Sequence, residues 1–201
     1  MFNNQNNKEK MGMQVNRRKD VRTPRVLMHR IADIRGGVSV KASELGGDFL
    51  YEGAVLSAAD EKGLCHVVKI AQVVAEVDAS DKTIKVKKGH NFAKGDFIMT
   101  KVGGVAYDIT AIDTEGSKTF DTITVSTTLG AISKDGFIIE AKAKSTATTS
   151  ELKYVPQSIN GTGKPFTPKS NLDTDAWLIA VTKGNPLPDF IMAYLKGVVN
   201  Y

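Results

Sequence analysis

Cysteine is almost missing from this chain: Cys65 is the one thiol in 201 residues, so no internal disulfide can form and no thiolate metal cluster is implied. A buried, inert thiol is the expected role. Long apolar runs are missing too. The longest are a handful of residues, far short of the roughly 20 that cross a bilayer as a helix. The first ten residues, MFNNQNNKEK, hold no apolar stretch of the kind a secretory leader needs. The expectation is a chain made and used without membrane targeting. Signatures of catalysis are equally scarce, with no GxxxxGK phosphate loop, no HExxH, no GxSxG and no paired CxxC. Gly161-Thr162-Gly163-Lys164 has a superficial likeness to a phosphate loop, but Pro165 and Pro168 make it a bend. The three histidines, His29, His66 and His90, are scattered. His66 follows Cys65 directly, so on a strand the two side chains point to opposite faces and cannot act as a pair. His90, in the loop Gly89-His90-Asn91-Phe92, is expected to shape its turn. The reading is a protein that is not an enzyme and takes no cofactor or metal.

What is present is 41% hydrophobic residues, enough for a real core, and an uneven net charge of +5. Residues 1–35 carry nine basic side chains against three acidic ones, a balance of +6, which leaves −1 for the other 166 residues. A near-neutral body with a basic arm points to a negatively charged partner for the arm alone. Arg17, Arg18, Lys19, Arg22, Arg25 and Arg30 are the candidate anchoring residues. Residues 1–16, rich in Asn and Gln, read as disordered until bound. After Pro24 the mix of basic and apolar residues suits either a short amphipathic helix or a strand, and periodicity does not decide between them.

The rest of the chain reads as mainly β: a small barrel-like or sandwich β-domain with an extended basic N-terminal arm and a C-terminal β segment. Phe49 to Leu56, Leu64 to Ile70, the Val-rich stretch Ile70 to Val77, Thr83 to Lys87, Phe97 to Lys101, Val105 to Ile112, Phe120 to Thr127 and Gly136 to Ala143 are the expected strands, separated by Gly, Asp and Ser turns. So many short strands favour a closed or nearly closed barrel, which has no free edges. One motif is written twice. Ile84-Lys85-Val86, then Phe92-Ala93-Lys94-Gly95-Asp96-Phe97-Ile98, is echoed by Ile123-Thr124-Val125, then Ile132-Ser133-Lys134-Asp135-Gly136-Phe137-Ile138. The spacings are 13 residues from Ile84 to Phe97 and 14 from Ile123 to Phe137, which suggests a β-domain built by duplication. Asp96 and Asp135 invite comparison with a catalytic carboxylate pair. The Gly/Asp steps Gly95-Asp96 and Asp135-Gly136 are better read as turn devices, with Gly at the positive backbone angle and Asp capping nearby amides. The expected boundaries are an arm over 1–35, a body over 36–143, a polar linker over 144–151 (KSTATTSE) and a C-terminal β segment over 152–201. In that segment Ala176 to Val181 reads as a buried strand with Trp177 as a core or interface anchor. Ile191 to Tyr201 reads as a further strand after Pro186 and Pro188.

The pattern IKVKKGHNFAKGDFI, the later DTITVSTTLGAISKDGFIIEA and the closing DAWLIAV with a final apolar strand resemble head fibre or capsid decoration proteins of tailed bacteriophages. The resemblance covers roughly residues 36 to 201. It implies a non-enzymatic virion protein, assembled in a bacterial cytoplasm and bound to the outside of the phage head through the major capsid protein. It also implies a homo-oligomer, commonly a trimer, that stabilises the shell or displays a surface module. With at most two copies of a 40-residue unit, the chain fits a compact knob better than a long shaft. Two other readings stay open: a tail or baseplate component, and a nucleic-acid-binding barrel with a basic arm. A near-neutral body and an arm without aromatics between Phe2 and Phe49 count against nucleic acid.

Overall fold

The computed structural model describes residues 25–201, and they are mainly β. In chain order the strands are β1 (Leu27–Asp33), β2 (Val38–Val40), β3 (Phe49–Leu50), β4 (Val55–Ser57), β5 (Leu64–Cys65), β6 (Ile70–Gln72), β7 (Thr83–Lys87) and β8 (Phe97–Met99). They continue with β9 (Tyr107–Asp113), β10 (Phe120–Val125), β11 (Phe137–Ala141), β12 (Pro156–Asn160), β13 (Lys164–Pro165), β14 (Leu172–Thr174), β15 (Ala176–Thr182) and β16 (Val198–Asn200). One short helix, α1 (Asp189–Met192), lies between the last two strands.

Six strands form one sheet in the order β6-β11-β8-β9-β10-β7, and this sheet is a duplicated three-strand unit. The first copy is β6-β7-β8 and the second β9-β10-β11. Ile84 pairs with Ile123, and Met99 with Ile139. In both pairs the partners are equivalent positions of the two copies, so the pairing has an approximate two-fold axis. Turn hydrogen bonds repeat in the same sense. The Gly95 amide donates to the Ile109 carbonyl and the Ile109 amide to the Asp96 carbonyl. In the other copy the Asp135 amide donates to Val73 and the Val73 amide to Gly136, all at 2.8–2.9 Å. Gly95 and Asp135 therefore occupy the same position, and both have positive φ, +92° and +66°. The Gly/Asp order is inverted between the copies, yet the same backbone step is kept.

Period-two alternation turns Ile84, Val86, Ile98, Ile109, Ile123, Val125 and Ile138 inward, each at most 1% exposed. Burying a side chain of this size contributes roughly 1.5–3 kcal/mol, so this interior holds the sheet in its register. The closed barrel expected from so many short strands does not form; the sheets are sandwich-like. The six-stranded sheet curls until its two ends touch at a single bridge, Val73 opposite Val86. With three residues, β6 is too short to build a full ladder along the five residues of β7.

The remaining strands form a second unit from both ends of the chain. Its main sheet runs β1-β15-β12-β4, with β16 beside β15 in parallel. Smaller sheets pair β14-β2-β5 and β13-β3. The chain thus leaves this unit after β5, builds the six-stranded sheet and returns. The division into a body over 36–143 and a separate segment over 152–201 is redrawn accordingly, because β2, β3 and β4 pair with β14, β13 and β12. The two units pack through Met99, Phe97, Phe137, Ile139 and Ala141 against Leu152 and Phe190.

Three finer expectations also change. The arm over 1–35 ends earlier, since β1 is hydrogen-bonded to β15. The Glu52 carboxylate fixes its start by accepting the Val26 and Leu27 amides at 2.9 and 2.6 Å. Residues 144–151 are strapped down: Ser145 exchanges amide hydrogen bonds with Ala106, and the Gly103 amide donates to Ser150. The strand expected over 191–201 is divided into α1 and β16: Pro188, still extended at the N-cap, ends the preceding segment, and a single helical turn follows from Asp189.

The shared positive φ yields a paired test. Gly95→Ala should cost about 1–2 kcal/mol, the price of a left-handed Cβ, whereas Asp135→Gly should keep or raise stability by up to about 1 kcal/mol. Urea unfolding of the two variants measures both.

Candidate interaction surface

The ladder between β1 and β15 is interrupted three times, with register shifts between Leu27 and His29, between Arg30 and Ala32, and between Ala32 and Asp33. Met28 and Ile31 are the extra residues on β1, and Leu178 is the extra residue on β15. A bulge re-aims the residue it inserts. All three are large, apolar and exposed, Ile31 at 65%. Beyond the bulges, Ala180 and Thr182 face the core with Val198, while Ile179 and Val181 alternate to the opposite side. Val181 pairs there with Val199 of β16, which is 60% exposed. An antiparallel sheet with one wet face normally alternates apolar-in and polar-out. Here the wet face carries Ile179, Val181 and Val199. Tyr201, under the Lys183 ammonium at 5.4 Å, extends it.

Among the described residues β1 pairs with a strand along one edge only, that of β15, and its other edge has no strand partner. An open strand edge is a template for adding another strand. It continues directly from the basic N-terminal stretch.

Of the sequence-predicted anchors, Arg17, Arg18, Lys19 and Arg22 lie outside the described residues. Arg30 and Trp177, far apart in sequence, are brought together. The Arg30 guanidinium lies over the indole ring at 5.5 Å and donates to the Gly161 carbonyl. The indole N–H donates to Asp175 at 2.8 Å. Burial works against a charged Asp175, but hydrogen bonds from Trp177 and Thr162, with Arg30 nearby, hold its carboxyl below the ordinary range. Trp177 is half-buried and also packs on the core beside Ile159. Gly161 is required there, since a Cβ would collide with both Asp175 and the indole. Arg25 is exposed at the start of β1, beside Glu52.

The acidic and histidine candidates are dispersed. Asp96 caps its own turn by accepting the Ala93 amide at 2.7 Å, and it pairs with Lys69 at 2.6 Å. Asp135 accepts from Gln72 at 3.3 Å. Gly95 and Gly136 complete these turns. The His90 Nδ1 accepts the Phe92 amide at 3.2 Å within its loop, and burial lowers its pKa despite Asp121. Cys65 is buried, which raises its thiol pKa. His66 lies between Glu44, 3.0 Å from Nδ1, and Asp60, 3.4 Å from Nε2, and stacks on Tyr154 with ring centroids 4.1 Å apart.

Two features escaped the sequence reading. The cluster of buried Lys69 and Glu140 with half-buried Asp96 and Lys153 was signalled by charges inside apolar strands, Lys69 in VVKIA and Glu140 in FIIEA. The outward apolar face was signalled by the run Trp177 to Val181, where alternation fails. Compared with protein-family models, with curated proteins and with solved structures, the chain matches none of them.

Glu44 supplies a pH test. Burial alone would raise its pKa, but hydrogen bonds from Lys41, Tyr154 and His66 outweigh it and hold the carboxyl at about 2, below the ordinary 4.5. A depressed carboxylate stabilises the fold above its unfolded pKa and loses that contribution as pH falls through the folded one. Stability should therefore drop between pH 4.5 and 2. Glu44→Gln should remove about 1–2 kcal/mol at neutral pH, allowing for partial solvation, and flatten that acid limb. Urea midpoints measured across this range give the answer.

Proposed function

We propose that this chain is a structural protein of a tailed-phage particle, docking on the major capsid protein through the β1–β15–β16 face and the basic stretch that leads into β1. The observation that carries this reading is the edge ladder whose bulge residues are all exposed and apolar. A bulge that turned such side chains toward water would cost solubility, whereas one that turns them toward a partner adds affinity. Burying Ile31, Ile179 and Val199 on docking would contribute roughly 1.5–3 kcal/mol each before ordering costs. The open edge of β1 can add main-chain hydrogen bonds that set the register of the partner.

Charge complements this. The balance of +6 over residues 1–35 against −1 elsewhere concentrates attraction in the part of the sequence that leads into and includes β1, which favours rapid encounter with an acidic surface. The resemblance of the β7–β11 region and the closing strands to head fibre and decoration proteins points the same way, including a homo-oligomer with a trimer favoured. Asp96 caps its own turn, Asp135 accepts from Gln72 on the neighbouring strand, and Glu44 and Asp60 clasp His66, which supports a binding role over a catalytic one.

The test is co-sedimentation with empty capsids of the cognate phage, with light scattering on the free protein. Ile179→Asp combined with Val199→Asp should weaken capsid binding at least tenfold, the equivalent of about 1.4 kcal/mol, and leave thermal unfolding close to wild type. Binding unchanged in that double variant would overturn the docking face. A salt-steep affinity for DNA without capsid binding would replace the virion reading with the nucleic-acid one.

A further inference from the structure

Lys69 is among the most deeply buried large side chains, 1% exposed, and it points into the end of the six-stranded interior. Its Nζ lies 2.6 Å from the Asp96 Oδ2 and 3.2 Å from the Glu140 Oε1, and the Glu140 side chain is itself 2% exposed. The three residues share one sheet face on adjacent strands. The Glu140 amide donates to the Lys69 carbonyl, and Glu140 stands opposite Ile98, two residues beyond Asp96. Lys153, reaching from the other unit, bonds Glu140 Oε1 at 2.8 Å, while Glu140 Oε2 is buried and has no hydrogen-bond partner among the described residues.

The duplication shows that the fold does not need these charges. By the strand pairing, Lys69 corresponds to Val105, Asp96 to Gly136 and Glu140 to Thr100. The second copy makes the same turn and the same ladder with an apolar residue, a glycine and a hydroxyl. Removing ions from water costs several kcal/mol each, so the cluster at one end of one copy calls for a chemical reason.

We propose that Lys69 and Asp96 condense into an intramolecular isopeptide bond, with Glu140 as the proton carrier. A first proton passes from the Lys69 Nζ to Glu140, 3.2 Å away, and on to the Asp96 Oδ1, which leaves a free amine beside a carboxylic acid. The Nζ lone pair then attacks the Asp96 Cγ. Oδ2, held by the Ala93 amide at 2.7 Å, carries the developing negative charge. Glu140, touching Nζ, takes the amine proton and delivers it to the departing Oδ1, which leaves as water. The balance is one ammonium plus one carboxylate giving one amide plus one water, with no oxidant or activating group. Burial and the nearby Asp96 charge raise the Glu140 pKa against the pull of Lys69 and Lys153, as suits a group that holds and returns a proton. Confinement at 2.6 Å replaces the activation that such a condensation needs in open water. The bond would clip β6 to β8 across the middle strand β11.

The experiment is the intact mass of the full chain, purified and held folded at neutral pH, followed by tandem mass spectrometry of its tryptic peptides. The expected result is a mass about 18 Da below that of the sequence, one water, with a branched peptide joining Lys69 to Asp96. Glu140→Gln should keep the wild-type circular dichroism and the full sequence mass, as should Asp96→Ala. A wild-type chain that keeps its full mass overturns the proposal, and that reading does not depend on any variant folding. So does a water loss that maps to a succinimide at Asp135-Gly136. Water loss in Glu140→Gln at the wild-type rate overturns the role of Glu140.

Discussion

The antiparallel pairing of one three-strand unit with its own copy is the constraint on which the rest of this structure depends. Ile84 against Ile123 and Met99 against Ile139 fix the register of both copies at once. A one-residue slip would turn every inward Ile and Val to the wrong face. With the register fixed, the ends of the sheet meet at Val73 and Val86 and the interior closes around Ile98, Ile109 and Ile138. The same register aligns Lys69, Glu140 and Asp96 on three neighbouring strands, and it leaves Phe97, Phe137 and Ile139 on the opposite side as the face that meets the second unit.

The second unit depends on the first for its closure. Its strands come from both ends of the described chain, and the inserted sheet brings β4 back to β12 and β2 back to β14. Loop-closure entropy rises only slowly with loop length, so an insertion of this size is tolerated once the insert folds by itself. The benefit is position. The β1 edge and the apolar face of β15 and β16 lie on this unit, away from the duplicated interior. The duplicated core thus carries, on a separate unit, an exposed apolar face whose bulge residues Met28, Ile31 and Leu178 are turned outward.

Much of the fold was legible in the sequence, where the physics is local. Alternation in TIKVK and FDTITV, with Gly and Asp turns between, gave the strands of the six-stranded sheet, and the echo around Ile84 and Ile123 gave the duplication. The equivalence of β6 and β9 was hidden because Ile70-Ala71-Gln72 and Ala106-Tyr107-Asp108 share backbone pairing but not side-chain chemistry. Barrel closure was overestimated, since the length of β6 is set by tertiary packing and not by its Val-rich neighbours. β1 read ambiguously because its partner, β15, lies about 150 residues away. The Arg30–Trp177 contact and the Lys69 cluster have the same cause: each is made by residues whose proximity exists only after the sheets form.

Hydrogen exchange on the full chain, free and mixed with empty capsids, tests the docking face most directly. The docking reading predicts that amides of β1, β15 and β16 gain protection on mixing while those of the six-stranded interior stay as they were. Protection that appears only in β6 to β11, or nowhere, would contradict it.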